Sequence, residues 1–557
     1  MTGSVFMADE STHQVGTVTD RDGVPVARSV TSPVQSKIRA EVVVPPSEVV
    51  PILFVPGIMG SNLRNSDTGE SVWNAGSALG LALQWAFRSA KTRQTKLDPK
   101  TTEVDPEGKI PKVASYAGDD LLMQVLDEEQ LRARGWGTVS KYGYGKFMEW
   151  LEPTLNEGAK SPWEHLVGQM PDEWGSEAAP SALEELESTK AWGVLCPVYG
   201  AGYNWLQSSG DSAVDLAKKI DEVIAEWRDK EVAGAKPYRC RQVVLVTHSM
   251  GGLVARATVH EVYGKSASKV RGISHGVMPT DGAAASYHHV RSGYEGFSRF
   301  VLGKDAAQVT AIFANACGPL ELLPNKEYGK EWLKAESTAA KGDPELFSLP
   351  AKDPYSEIYV RREPWWRLID PALIDPVDRS SANKSMGGVA VDPWLDGYIP
   401  NLMVAEHFHA ELGPTFHSPT YSHYGADSER QSFGSVVWRT AQDVSLGKDE
   451  LMSAPPENAS GWAAVRLALT PGKDNSDPVR VAQGTGQVVF GIAAAADEGD
   501  DTVPHNSGAG PFTRGGKNVR QSFRLNRMSE GHAGSYDDEN VRQITLHSIA
   551  RIIGEEK

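Results

Sequence analysis

Val243-Val244-Leu245-Val246-Thr247-His248-Ser249-Met250-Gly251-Gly252-Leu253-Val254-Ala255-Arg256 is the stretch on which the fold turns. Val243 to Val246 read as a buried strand, and an apolar pattern of helical period resumes at once behind the two glycines. Ser249 therefore falls on the sharp turn between strand and helix, where its hydroxyl projects from the top of a sheet as a nucleophile elbow. Thr247 stands where the pattern G-x-S-x-G has its first glycine. That position lies against the tight turn and is crowded, so the threonine is a departure. The pentapeptide alone also fits an ordinary strand–turn–helix with a serine N-cap, and the reading depends on partners elsewhere in the chain.

The chain has 557 residues, more than the roughly 250–300 at which a single core stops growing. We read one core with large insertions rather than two domains. A formal net charge of −16 argues against a nucleic-acid partner, because phosphate binding needs clustered Lys and Arg. The same charge gives no help in holding the protein on an anionic bilayer. Cys196, Cys240 and Cys317 are odd in number, far apart and without metal-type spacing, so they read as reduced, buried thiols. No apolar run approaches the about 18 residues of a transmembrane helix, and the N-terminus lacks the basic start and apolar centre of a signal peptide.

Residues 1–48 are polar and broken by Pro25, Pro33, Pro45 and Pro46, which suggests a flexible leader. The remainder, 49–557, reads as the catalytic domain. It opens with Val49 to Val55, a strand entering Pro56-Gly57-Ile58-Met59-Gly60-Ser61-Asn62-Leu63. A glycine-rich turn at a strand's carboxyl end exposes backbone N–H groups and can supply half of an oxyanion hole. The favoured donor is the Ile58 amide, with Met59 as runner-up, and the second donor is the Met250 amide behind the nucleophile. From about 73 to 191 the sequence reads as insertions above the sheet. Order returns near Tyr199, and a helix with a capping-box start at Ser212 and Asp215 carries Leu216, Ile220, Val223, Ile224 and Trp227 on one face. Strand, helix, strand in this order is the signature of a parallel sheet. The fold class is therefore α/β, with the α/β-hydrolase fold indicated by the elbow.

Three blocks, Pro56 to Leu63, Tyr203-Asn204-Trp205 and His248 to Gly252, resemble those of the lecithin:cholesterol acyltransferase and phospholipid:diacylglycerol acyltransferase group. The chain is similar above all to bacterial lipase effectors of type VI secretion, with Gly276 to Ala283, Gly318 to Asn325 and Gly531 to Tyr536 as the further blocks. Their order along the chain is the specific signal. The resemblance implies an α/β-hydrolase fold with a cap or lid.

Between about 328 and 442 lies a cap-like segment rich in tryptophan and histidine. Trp332, Trp365, Trp366 and Trp394 either line an acyl pocket or a membrane interface, or simply pack a subdomain. His407, His409, His417 and His423 match no zinc signature, and we assign neither metal nor cofactor.

The remaining partners follow the serine in the order acid, then histidine. Asp497-Glu498-Gly499-Asp500-Asp501-Thr502-Val503-Pro504 matches the family's acid-bearing loop, whose register selects Asp500 with Asp501 as rival. For the base, His505 is too close to the acid and His547 lies in a helical pattern. His532 follows a strand near Gln521 to Leu525 and precedes the last helix, where this fold holds its base.

The resemblance implies a serine lipase or phospholipase A that cleaves acyl esters of membrane phospholipids through an acyl-serine. It also implies peripheral contact with a membrane surface, an immunity protein in the producer, a secretion-spike or adaptor partner, and export from the bacterial cytoplasm by type VI-like secretion without a signal peptide. Three alternatives stand beside it: an acyltransferase moving the chain to an alcohol, a soluble esterase, and a non-catalytic hydrolase-fold scaffold.

Overall fold

The computed structural model describes residues 12–19, 25–27, 39–43, 48–74, 76–111, 126–156, 162–171, 174–176, 181–229, 238–294, 298–340, 342–379, 381, 391–456, 479–483 and 486–555. Its centre is a seven-stranded sheet built from β1 (Ile52–Val55), β2 (Gly175–Ser176), β3 (Val198–Gly200), β4 (Val243–His248), β5 (Val270–Gly276), β6 (Thr420–Gly425) and β7 (Val519–Leu525). The spatial order is β3-β1-β4-β5-β6-β7-β2, and every pairing is parallel except the last. In register, Leu245 lies beside Leu53 and Ile273.

The period of two along each strand divides the core between two faces. Leu53, Val55 and Leu245 point to helices α2 (Ser209–Asp229) and α3 (Gly251–Val259), together with Leu216, Ile220, Val223 and Leu253. Ile52, Phe54, Val244 and Val246 point to the opposite layer, made by α1 (Lys141–Asn156) and α4 (Glu539–Gly554) with Phe147, Leu151, Ile544 and Ile549. All six residues of β4 are buried, which is why Val243 to Val246 form a continuous apolar run rather than an alternating one. Burying each such side chain is worth about 1.5–3 kcal/mol. Helix α2 starts a turn earlier than the Ser212 capping box suggests. The buried Glu321 carboxylate, far away in sequence, accepts from the Ser209 amide at 2.9 Å and the Ser208 hydroxyl at 2.6 Å and so replaces a local cap.

A second sheet stacks Glu345–Leu349, Leu333–Ser337, Val436–Thr440, Gly486–Ile492 and Val479–Gln483 in that order. Its core holds Trp332, Trp365, Trp366, Trp394, Trp438 and Phe490, all buried. The packing alternative therefore accounts for the four tryptophans, and none of them faces solvent. The expected cap-like segment and this layer do not coincide on the carboxyl-terminal side. Central strand β6 falls inside 328–442, and the second sheet continues to Ile492. Thr420-Tyr421-Ser422-His423-Tyr424-Gly425 is wholly buried yet contains no aliphatic residue, so hydropathy could not mark it as a core strand.

The insertion at 73–191 also differs from an assembly lying only above the sheet. Helix α1 forms part of the core layer beneath it, and β2 pairs with the edge strand β7. Within the expected leader, Thr12–Thr19, Pro25–Ala27 and Arg39–Val43 form a small sheet of their own. The rest of that leader up to Pro46 and Ser47, and residues 172–173 and 177–180 of the acidic tract, lie outside the described residues.

Candidate active site

Strand β4 ends at Ser249, whose φ of 52° puts a non-glycine residue in the left-handed region. The turn is held by the Ser249 amide donating to the Gly276 carbonyl at 2.8 Å and the Gly252 amide donating back to the Ser249 carbonyl at 2.9 Å. Close approach explains the glycines. A Cβ on Gly251 would stand 2.4 Å from the Pro56 carbonyl oxygen, and one on Gly252 2.5 Å from Met278 Sδ. Thr247 is accommodated because its hydroxyl turns toward β5, 3.0 Å from His275 Nδ1, while its carbonyl accepts from Tyr536 Oη at 2.9 Å.

Asp500 and His532 converge on this turn from two other strand ends. Asp500 follows the short strand Asp497–Gly499, which pairs with Asp427–Ser432 just beyond β6. Its Oδ1 accepts from the Thr502 amide at 3.1 Å and the Val503 amide at 2.7 Å, which leaves Oδ2 aimed at His532 Nδ1, 2.8 Å away. His532 Nε2 lies 2.9 Å from Ser249 Oγ. A carboxylate only accepts, so Nδ1 carries the proton and Nε2 is free to accept from the serine. The His532 amide also donates to the Asp500 carbonyl at 2.8 Å, which locks the two loops together.

Electrostatics fit this arrangement. Burial pushes the His532 imidazolium down, but the Asp500 charge and hydrogen bond, with Asp501 adding to them, outweigh it and raise its pKa above the ordinary 6.5. A serine hydroxyl donating to a neutral imidazole that is oriented by a carboxylate can be deprotonated as it attacks a carbonyl carbon.

The Pro56–Gly60 loop lies against the serine, since a Cβ on Gly57 would stand 3.0 Å from Ser249 Cβ. Among the described residues neither the Ile58 nor the Met250 amide has an acceptor, as an anion site requires. Met59, the runner-up, has φ 62°, and its carbonyl accepts from the Trp73 indole at 2.9 Å.

Two side chains that sequence reasoning passed over complete the floor. His248 Nε2 donates to the His532 carbonyl at 2.9 Å. Its Nδ1 is 2.9 Å from Tyr144 Oη, and that oxygen accepts from the Gly57 amide at 3.1 Å. A directed chain thus runs from the loop through Tyr144 and His248 to the backbone of His532. Burial, with help from the nearby His532, lowers the His248 pKa to about 3, so this ring stays neutral. His248 stood in the stretch that decided the fold, but Tyr144 lies 104 residues away on α1 and carried no signal.

The rivals are placed elsewhere. Asp501 pairs with Arg430 at 3.6 Å, its side chain 44% exposed. His505 is exposed at the start of a short helix, and His547 is packed in α4 beside Trp174 with Nε2 near the Ser181 carbonyl. The four histidines of the middle segment do not converge. His407 is exposed, His423 sits inside β6, His409 bonds Asn325 and the Glu321 carbonyl, and His417 bonds the Val270 carbonyl. Among the described residues no group of three His, Cys, Asp or Glu could hold a metal ion.

No family model matches the sequence, and no curated protein does. A solved structure does: the crystal structure of the Tle4-Tli4 complex contains a chain 30% identical to this one, with a TM-score of 0.72, covering 90% of this chain and 98% of its own. With that identity over nearly the whole of both chains, this protein belongs with Tle4 to the type VI secretion lipase effectors, on the α/β-hydrolase fold.

Proposed function

We propose that the protein is a phospholipase A in which Ser249 is the nucleophile, His532 the general base and Asp500 its orienting acid. The observation that carries this reading is the unbroken hydrogen-bond chain from Ser249 Oγ through both nitrogens of His532 to Asp500 Oδ2, at 2.9 and 2.8 Å, on a strained strand-to-helix turn. Membership among lipase effectors supports an acyl-ester substrate.

In the first half-reaction Ser249 Oγ bonds to the ester carbonyl carbon while its proton moves to His532 Nε2. The carbonyl electrons collect on the oxygen, which the amides of Ile58 and Met250 stabilise; one such donor is worth about 10²–10³ in rate. Collapse breaks the carbon–oxygen bond, and His532 returns the proton to the departing lysolipid. Water then repeats the sequence on the acyl-serine and releases a fatty acid. Ser249 is 4% exposed and His532 7%, so the reacting groups are largely screened from water. This supports a substrate met at a lipid surface over a small soluble ester.

The relative is seen in complex with Tli4, which supports an immunity protein that holds this chain inactive in the producer. A secretion-spike or adaptor partner, and delivery from the bacterial cytoplasm to the membranes of a target cell, follow from the family reading.

The test is acyl release from phospholipid vesicles beside a short soluble ester, wild type against Ser249→Ala, with products resolved by mass. The expected result is vesicle activity that yields fatty acid and lysolipid and disappears in the variant. Transfer of the acyl group to an added alcohol would make the protein an acyltransferase, and unchanged activity in Ser249→Ala would remove the triad assignment.

A further inference from the structure

The net charge of −16 conceals a local exception. From Ser71 to Leu97 the chain has four basic residues, Arg88, Lys91, Arg93 and Lys96, and no Asp or Glu. The helix Ala78–Trp85 lies in this stretch, capped by Ser77, whose hydroxyl accepts from the Gly80 amide. It buries Leu81, Ala82 and Trp85 on one side. On the other, Leu79 and Leu83 are each 68% exposed, and Phe87 just beyond the helix is 93% exposed. A spacing of four aligns these three as one stripe. Contiguous apolar surface of this kind marks an interaction site, and Arg88 and Lys91 stand exposed at its end.

The buried face of this helix leads to the active site. The Trp85 ring is 5.7 Å from that of Trp73, whose indole donates to Met59 in the oxyanion loop. The buried Arg93 guanidinium donates to the Trp85 carbonyl at 3.1 Å and the Val301 carbonyl at 2.6 Å, which clamps the helix to Ser298–Leu302. The exposed stripe is thus held two rings away from the loop that must meet the ester.

We propose that the helix Ala78–Trp85 with Phe87 is the surface by which this protein docks on a bilayer containing anionic lipid. Leu79, Leu83 and Phe87 enter the interface, and Arg88 and Lys91 meet the headgroups. The proposal rests on the phospholipase reading for its choice of a membrane. Two features favour lipid over a protein partner: the stripe is joined only to cations within an acidic chain, and it is coupled through Trp73 to the oxyanion loop. Interfacial helices bind by this combination of apolar area and basic residues.

The test is flotation of the full chain carrying Ser249→Ala, which spares the lipid, with vesicles of phosphatidylethanolamine and phosphatidylglycerol or of phosphatidylcholine alone. The parent should float with the anionic vesicles and lose binding as salt rises. Adding Leu79→Ser, Leu83→Ser and Phe87→Ser should weaken partitioning at least about tenfold with an unchanged thermal midpoint, since the removed groups are exposed. Arg88→Glu with Lys91→Glu should erase the preference for anionic vesicles. Should the triple variant lose thermal stability, Phe87→Asp alone carries the test. Flotation of the serine variants like the parent, or no flotation of the parent, would overturn the proposal. So would a triple variant that floats normally but no longer binds a neutralising protein, which would assign the stripe to that partner. Wild-type chain that floats without releasing fatty acid would leave docking intact and remove the phospholipase reading instead.

Discussion

His532 and His248 are neighbours, with ring centroids 5.1 Å apart, and both are buried. Their protonation behaviour is opposite: one pKa stands above 6.5, the other is lowered to about 3. What faces Nδ1 separates them. His532 Nδ1 meets the Asp500 carboxylate, so a positive ring is stabilised in place; His248 Nδ1 meets the Tyr144 hydroxyl, which carries no compensating charge. In the proposed mechanism the partner, rather than the depth of burial, lets one ring shuttle a proton and leaves the other to hold loops.

Asp500→Asn should break the comparison most severely, because an amide oriented as donor favours the wrong tautomer of His532. Soluble-ester kcat should fall about 10⁴-fold with the fold retained; a loss under tenfold would move the acid elsewhere. Next comes the pH profile. The base must be neutral to act, and its pKa is raised, so kcat/KM should climb through a midpoint above 6.5 and flatten at higher pH. A midpoint below 6 would deny the Asp500 influence.

Tyr144→Phe leaves His248 Nδ1 and the Gly57 amide without a partner. That change should cost about 1–3 kcal/mol of stability and lower kcat more than it raises KM, read by thermal melts and steady-state kinetics. Loss of stability with kcat untouched would limit the tyrosine to a packing role.

Stability itself should depend on pH in the direction set by the neutral rings. His248, His275 and His288 have pKa values lowered to about 3, chiefly by burial, and His289, His409, His423 and His547 to about 4. Below 6.5 the unfolded chain takes up protons these folded rings refuse, so stability falls as pH drops from about 6.5 toward 4. His532, with its raised pKa, contributes in the opposite sense: its share is full below 6.5 and lost as pH rises through the folded value. A melting temperature flat from pH 7 to 5 would contradict the burial of the seven. The smallest effect belongs to Asp501→Asn. Its half-exposed pair with Arg430 is worth roughly 0–1 kcal/mol, and activity should stay within about threefold of the parent.

The elbow was legible because β4 is buried on both faces, so Val243 to Val246 form an uninterrupted apolar run shortly before Ser249, Gly251 and Gly252. The proposed acid and base, Asp500 and His532, rest on order and register along the chain, since both sit on loops at strand ends. Strand β6 was not legible, because a buried strand made of Thr, Tyr, Ser, His and Gly looks like a loop to hydropathy. Tyr144 was hidden for another reason: its contact with His248 spans 104 positions, and only the packing of α1 under the sheet creates it. The basic stripe beside Phe87 was masked by averaging, as the net charge of the whole chain has the other sign.

The central claim is that Ser249 Oγ is the attacking atom. The most direct measurement is reaction of the full chain with a long-chain fluorophosphonate, followed by intact mass and peptide mapping. The expected result is loss of fluoride and one phosphonyl adduct, mapped to the peptide carrying Ser249 and absent in Ser249→Ala. An adduct on another residue, or none on a chain that still cleaves phospholipid, would contradict it.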